Sequence, residues 1–136
     1  GRWHVVCTTE EGAVYAWGRN ACGQVGAAGE ARVVRSPTHV EGLAEVVVIH
    51  IACGAEHSIA VAESGAALAW GRNDCGQLGL GADRVCPGLA TPETVPAPGG
   101  SEPITQAACG AEHTLFVTSS GRILACGSRS HGQLGL

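Results

Sequence analysis

Apolar residues in this chain come in short runs of small and β-branched side chains, broken by glycine before any helical period can establish itself. In the central third, HSIAVAE (57–63) and AALAWG (66–71) flank a Ser64-Gly65 pair. Two such runs around a glycine turn predict a β-hairpin, because tight hairpin loops place one residue at positive φ, where glycine is favoured. Glu11-Gly12 and Ser120-Gly121 predict two more. Strand-like runs precede two of these hairpins, at Val46–Cys53 and Ile104–Cys109, and before those lie proline-led extended pieces, Pro37–Val40 and Pro92–Val95. Each unit therefore holds about four short strands. Helix evidence is poor, since 21 glycines and six prolines interrupt every candidate segment.

The units are copies of one another. The stretch Ile51–Leu80, IACGAEHSIAVAESGAALAWGRNDCGQLGL, recurs as ACGAEHTLFVTSSGRILACGSRSHGQLGL and, in part, as GRWHVVCTTEEGAVYAWGRNACGQVG. The turn glycines set periods of 53 (65 − 12) and 56 (121 − 65) residues. The same offsets carry His4 to His57 to His113, Trp17 to Trp70 to Cys126, and Gly23 to Gly76 to Gly132. Four antiparallel strands repeated at this period predict an all-β chain of β-propeller blades, and 136 residues supply about two and a half of them, an incomplete ring. The expected division is a partial blade with its link at 1–36, a central blade at 37–91 and a third blade at 92–136. Gly1 aligns with Gly54 inside a repeat and methionine is absent, so the chain reads as a fragment whose other blades belong to the rest of the same protein.

Charge narrows the partners. With no lysine, eight scattered arginines and a net charge of −4, the chain has no basic stripe for nucleic acid or an anionic membrane, and no apolar run is long enough to span a bilayer. Its seven cysteines are odd in number, lack CxxC pairs and mostly recur at equivalent positions, which points to buried thiols in a cytoplasmic or nuclear protein.

The pattern CG-x-x-H-[ST], a hairpin glycine, [AC]-[WC]-G and GQ[LV]G resembles the repeats of the regulator of chromosome condensation family. Cys53-Gly54 with His57, Ala69-Trp70-Gly71 and Gly76-Gln77-Leu78-Gly79 carry the resemblance centrally. Cys109-Gly110 with His113, Ala125-Cys126-Gly127 and Gly132–Gly135 carry it in the third copy, and Ala16-Trp17-Gly18 with Gly23–Gly26 in the first. The resemblance implies a seven-bladed propeller and a protein partner. The family's roles include nucleotide exchange on the Ran GTPase, partner-binding arms of HECT-type ubiquitin ligases, kinase and ciliary scaffolds and a plant photoreceptor, and fold alone does not choose among them.

The candidate chemistry is that of a binding surface. The CxxxH spacing of Cys53 with His57 and of Cys109 with His113 invites zinc, but blades stack about 10 Å apart, too far to share an ion held by bonds of about 2 Å. These residues are expected to pack, the histidine tying a strand to a neighbouring loop. Trp17 and Trp70 are expected in blade cores, with Cys126 as substitute. Trp3 stands apart, beside Arg2 in GRWH where the other copies have GAEH, and is expected to face solvent and a partner. The loops carrying Arg19 and Asn20, Arg72, Asn73 and Asp74, and Arg129 leave on one face and form the candidate partner surface. Gly81–Pro103 holds five of the six prolines and reads as an individual surface loop, with Asp83, Glu93 and Glu102 as its acidic groups. No catalytic, metal or cofactor site is expected. The chain reads as a non-catalytic interaction scaffold, with exchange on a small GTPase and a ubiquitin-ligase arm as the alternatives.

Overall fold

The computed structural model describes residues 1–27, 29–96 and 100–135. These described residues form ten strands: β1 His4–Thr8, β2 Val14–Arg19, β3 Val33–His39, β4 Val48–Cys53, β5 His57–Ala62, β6 Ala67–Asn73, β7 Cys86–Thr94, β8 Ile104–Cys109, β9 His113–Thr118 and β10 Ile123–Gly127. Short 3-10 turns occupy Glu41–Leu43 and Ala82–Arg84. The strands form three antiparallel meanders, β1-β2-β3, β4-β5-β6-β7 and β8-β9-β10. Two three-stranded sheets thus flank a four-stranded one. No helix among the described residues is long and apolar enough to cross a membrane.

The hairpin turns are where the glycines placed them. Gly12, Gly65 and Gly121 have φ of 85°, 84° and 84°. At Gly65 the reason is double: the backbone is left-handed, and an added Cβ would collide with Pro103 of the incoming link.

The sheets divide the chain differently from the sequence repeat. The proline-led strands β3 and β7 pair with the preceding hairpin, through Ala16↔Thr38 and Leu68↔Thr94. Sheets therefore end at His39 and Thr94, after Pro37 and Pro92 rather than before them. Physically, a strand lacking one N–H fits the outer edge of a finished meander, where that donor has no partner to lose. The segment Gly81–Pro103 is likewise more than a surface loop, because the nine-residue β7 runs through it; its positions 97–99 lie outside the described residues.

The core lies between sheets. On β5, Ala60 and Ala62 point with Leu68 and Trp70 towards Val14, Ala16, Val25 and Val40 of the first sheet. Ile59, Val61, Ala67 and Ala69 point the other way, towards Ile104, Ala107 and Phe116 of the third. All six residues of β5 are buried, whereas along β9 burial alternates through Thr114, Phe116 and Thr118. A strand covered on both faces and one covered on a single face show these patterns.

Candidate partner-binding face

The repeat motifs meet at the ends of the sheets opposite the hairpin turns. His57 is buried, and its Nε2 lies 2.9 Å from Thr114 Oγ1 in the next sheet. Thr114 in turn donates to the carbonyl of Gln77, at 2.7 Å, in the loop between β6 and β7 of the central sheet. The first joint repeats the arrangement, with His4 Nε2 2.9 Å from Ser58 Oγ and Ser58 donating to Gln24 O at 2.8 Å. The hydroxyl proton is committed to a carbonyl, so the imidazole must be the donor at Nε2; this fixes the neutral Nε2–H tautomer and leaves Nδ1 a bare lone pair without a partner in both rings. Burial above all, with the neighbouring histidines adding to it, pulls His57 down to about 4. His4 is also pulled to about 4, by burial and by the terminal ammonium. Gly54 and Gly110 complete the motif: a Cβ at either would overlap the imidazole three residues on. The histidine thus joins sheet to sheet, and the tie from strand to loop that the spacing suggested for it is made instead by the hydroxyl it meets.

The loops after β2 and β6 are bracketed by asparagine. Asn73 Oδ1 accepts from Leu78 N at 3.0 Å while its Nδ2 donates to Arg84 O at 2.6 Å, and Asn20 does the same with Val25 N and Ala31 O, both at 3.0 Å. Both asparagines are buried, so they are scaffold rather than surface, contrary to the expectation from loop composition. A residue that recurs in two copies was the available signal, since what repeats serves the shared fold. Gln24, Gln77 and Gln133 similarly turn their Oε1 onto the backbone N–H of Cys22, Cys75 and His131.

The remaining candidates lie outside these brackets; Arg19 and Arg72 occupy equivalent positions in the first two copies, whereas Trp3 and Asp74 have no counterpart of their own kind. Arg72 grips Asp74 through Nε and Nη2, the shortest contact being 2.6 Å, and reaches Glu56 at 3.0 Å and Glu112 at 3.9 Å. Those hydrogen bonds raise the Arg72 guanidinium above its ordinary range and hold the Asp74 carboxyl below its own. Arg19 joins from the first sheet, 3.6 Å from the same Glu56. An ionic ladder therefore crosses all three sheets, and Glu56 and Glu112 belong to it although sequence reasoning had passed over them. Their signal was the glutamate shared by both GAEH copies. Trp3 occupies the equivalent position in the first sheet, 58% exposed, with the Arg2 guanidinium 5.7 Å from its ring centre. Arg129 is exposed beside the third sheet. Asp83 lies exposed on a 3-10 turn, while Glu93 is spent on Arg84 at 2.6 Å; neither joins the ladder.

The sequence profile of the regulator of chromosome condensation (RCC1) repeat matches residues 11–61 and 64–117, and a second profile of the same description matches 48–77 and 104–133. The chain belongs to this repeat family. Its 136 residues are 38% identical to human protein RCC2 over 97% of the chain but 24% of that protein, and 33% identical to the human probable E3 ubiquitin-protein ligase HERC3 over 99% of the chain and 12% of the ligase. The chain thus spans about a quarter or less of the length of these relatives. Among solved structures it resembles Prp20p of Saccharomyces cerevisiae, described with its binding to Gsp1p and histones, at 30% identity and a TM-score of 0.85, over 100% of this chain and 33% of that one. Human WBSCR16 gives 30% identity and a TM-score of 0.82 over 93% and 31%. Repeats of this family thus occur in proteins as different as these, and the shared fold does not by itself choose a function.

Proposed function

We propose that this chain is a non-catalytic protein-interaction scaffold, part of one propeller within a larger regulatory protein of the cytoplasm or nucleus, whose further blades come from the same protein. One observation carries the reading: Trp3, Arg19, Arg72, Asp74 and Arg129, all at least partly exposed, stand at one end of the sheets beside loops whose backbones are fixed by buried, repeated contacts. Rigid loops lose little entropy when a partner docks. The free thiols accord with a reducing compartment.

A photo-crosslinking residue placed at Trp3, Asp74 or Arg129 of the full chain is expected to capture protein, and one at Glu11, Ser64 or Ser120 on the hairpin-turn side is not. Capture confined to the turns overturns the assignment of the face. Exchange on a small GTPase is the second reading, favoured by the likeness to Prp20p, which binds Gsp1p and histones. It requires accelerated release of fluorescent nucleotide in a stopped-flow assay, and simple binding without acceleration rejects it. The likeness to HERC3 supports a third role, the partner-binding arm of a ligase.

A further inference from the structure

The outer strands β3 and β7 carry the same irregularity at the same place. Between the pairs Ala16↔Thr38 and Gly18↔Val34, the residues Arg35, Ser36 and Pro37 stand opposite Trp17 alone. Between Ala69↔Glu93 and Gly71↔Leu89, Ala90, Thr91 and Pro92 stand opposite Trp70 alone. The middle residue of each bulge is thus a hydroxyl residue followed by proline. An edge strand accounts for the proline, which has no N–H to leave unpaired, but it does not call for a hydroxyl before it. A serine or threonine kept for turn chemistry bonds nearby backbone. Among the described residues neither the Ser36 nor the Thr91 hydroxyl has a hydrogen-bond partner, whereas those of Ser58, Thr114 and Ser120 all donate.

Both positions are exposed, and the neighbouring sheets do not cover them. Thr91 has the outer loop of the preceding sheet beside it: an added Cβ on Gly23 would collide with Leu89 and Ala90, and the cover stops there. Ser36 has the complete four-stranded sheet following it. A place left open behind one neighbour and ahead of another is open because it lies on the rim of the array.

We propose that Ser36 and Thr91 are phosphorylated by a protein kinase that selects proline after its acceptor. ATP is the co-substrate. The side-chain oxygen bonds the γ-phosphorus, the bond from that phosphorus to the β–γ bridging oxygen breaks, ADP leaves, and the hydroxyl proton passes to the kinase's aspartate. Two features of the bulge suit this reaction. Proline holds the residue before it extended, the form in which an acceptor segment lies along a kinase cleft. The three bulged residues are also out of register with β2 or β6, so the segment can be gripped without unzipping the sheet. Each phosphate adds a charge of about −1.5 to −2 to the rim at neutral pH, whichever partner the loop face binds.

The test incubates the folded full chain with magnesium-ATP and a purified cyclin-dependent kinase, and maps phosphate by mass spectrometry. Phosphate is expected at Ser36 and Thr91 and not at Ser64 or Ser120, each of which precedes glycine. Pro37→Ala and Pro92→Ala are each expected to slow transfer at the preceding residue at least ~10-fold, the discrimination that one lost apolar contact supplies, while the other site keeps its rate. Near-ultraviolet circular dichroism checks that each variant is folded, and Ser36→Ala/Thr91→Val is expected to abolish labelling. Absence of phosphate from the folded chain overturns the proposal, whether or not an isolated peptide of residues 32–40 accepts it. Labelling that appears only after heat unfolding, equal labelling of Ser120, or an unchanged rate in folded Pro37→Ala overturns it as well.

Discussion

The joint between the first and second sheets and the joint between the second and third do the same work with different side chains. At the first, the Trp70 indole is fully buried, donates Nε1 to Gln24 O at 2.9 Å and lies against Gly26, with small Ala60 beside it. At the second, Cys126 stands where Trp70 would, and its thiol donates to Gln77 O at a long 3.5 Å. Burial pushes that thiol up to about 11, so it keeps the proton it donates. The missing volume arrives from the neighbouring strand: Phe116 replaces Ala60 and is 1% exposed. Its ring and the Cys126 sulfur both border the space that a Cβ on Gly79 would take, as the indole does at Gly26 in the first joint. A large and a small side chain have exchanged strands, and the total filling is kept. Interiors tolerate such a swap because volume and contact matter more than which residue supplies them.

The largest effect should come from breaking that filling. Trp70→Ala is expected to cost about 3–5 kcal/mol in chemical denaturation, and Phe116→Ala a similar amount, because each leaves a ring-sized cavity. Trp70→Cys combined with Ala60→Phe, which copies the second joint into the first, should recover at least ~1 kcal/mol relative to Trp70→Cys alone. Strict additivity of those two changes would mean that the exchange of strands is not a compensation.

Acid should loosen both joints. His57 stays neutral when folded down to a pH of about 4, whereas the unfolded chain takes up its proton near the ordinary 6.5. Stability is therefore expected to fall as pH drops from about 6.5 towards 4, by on the order of 3 kcal/mol for this histidine, and to level off below. His57→Gln should flatten the profile; an unchanged slope would place the proton uptake elsewhere. The relay common to the joints gives a smaller test. Ser58→Ala and Thr114→Val each leave a buried imidazole N–H unmatched and should cost about 1–3 kcal/mol, similar at the two joints despite their different fillings. Smallest is the ladder: Arg72→Ala should cost about 0.5–1 kcal/mol, and high salt should remove most of that difference, since the guanidinium is partly exposed and screened.

What was legible in the chain was what depends on near neighbours. The hairpins followed from Gly12, Gly65 and Gly121, and the blade from the recurrence of CGxxH, AWG and GQxG. Contacts that join residues about 54 positions apart have no local signature. The pairing of β3 and β7 with the preceding hairpins was misjudged because Pro37 and Pro92 read as beginnings. Phe116 went unread as the counterpart of Cys126, since compensation across strands shows only when the two faces are laid together. Asn20 and Asn73 looked like surface turn residues because asparagine favours turns generally; their recurrence held the better clue. Trp3, by contrast, is exposed as its setting suggested, and the carboxylates around the partly exposed Arg72 complete a pattern of which the sequence showed only one member.

The order of the relay also bears on how the protein is made. Each hydroxyl that holds a loop belongs to the sheet that follows it, so Gln24, though already translated, has its carbonyl unclaimed until Ser58 emerges 34 residues later. At bacterial to eukaryotic elongation rates of about 5–20 residues per second, that interval is roughly 2–7 s. On the ribosome each blade would thus be left unlatched until its successor arrives, and the chain would zip in one direction, every new sheet closing the clasp on the one before.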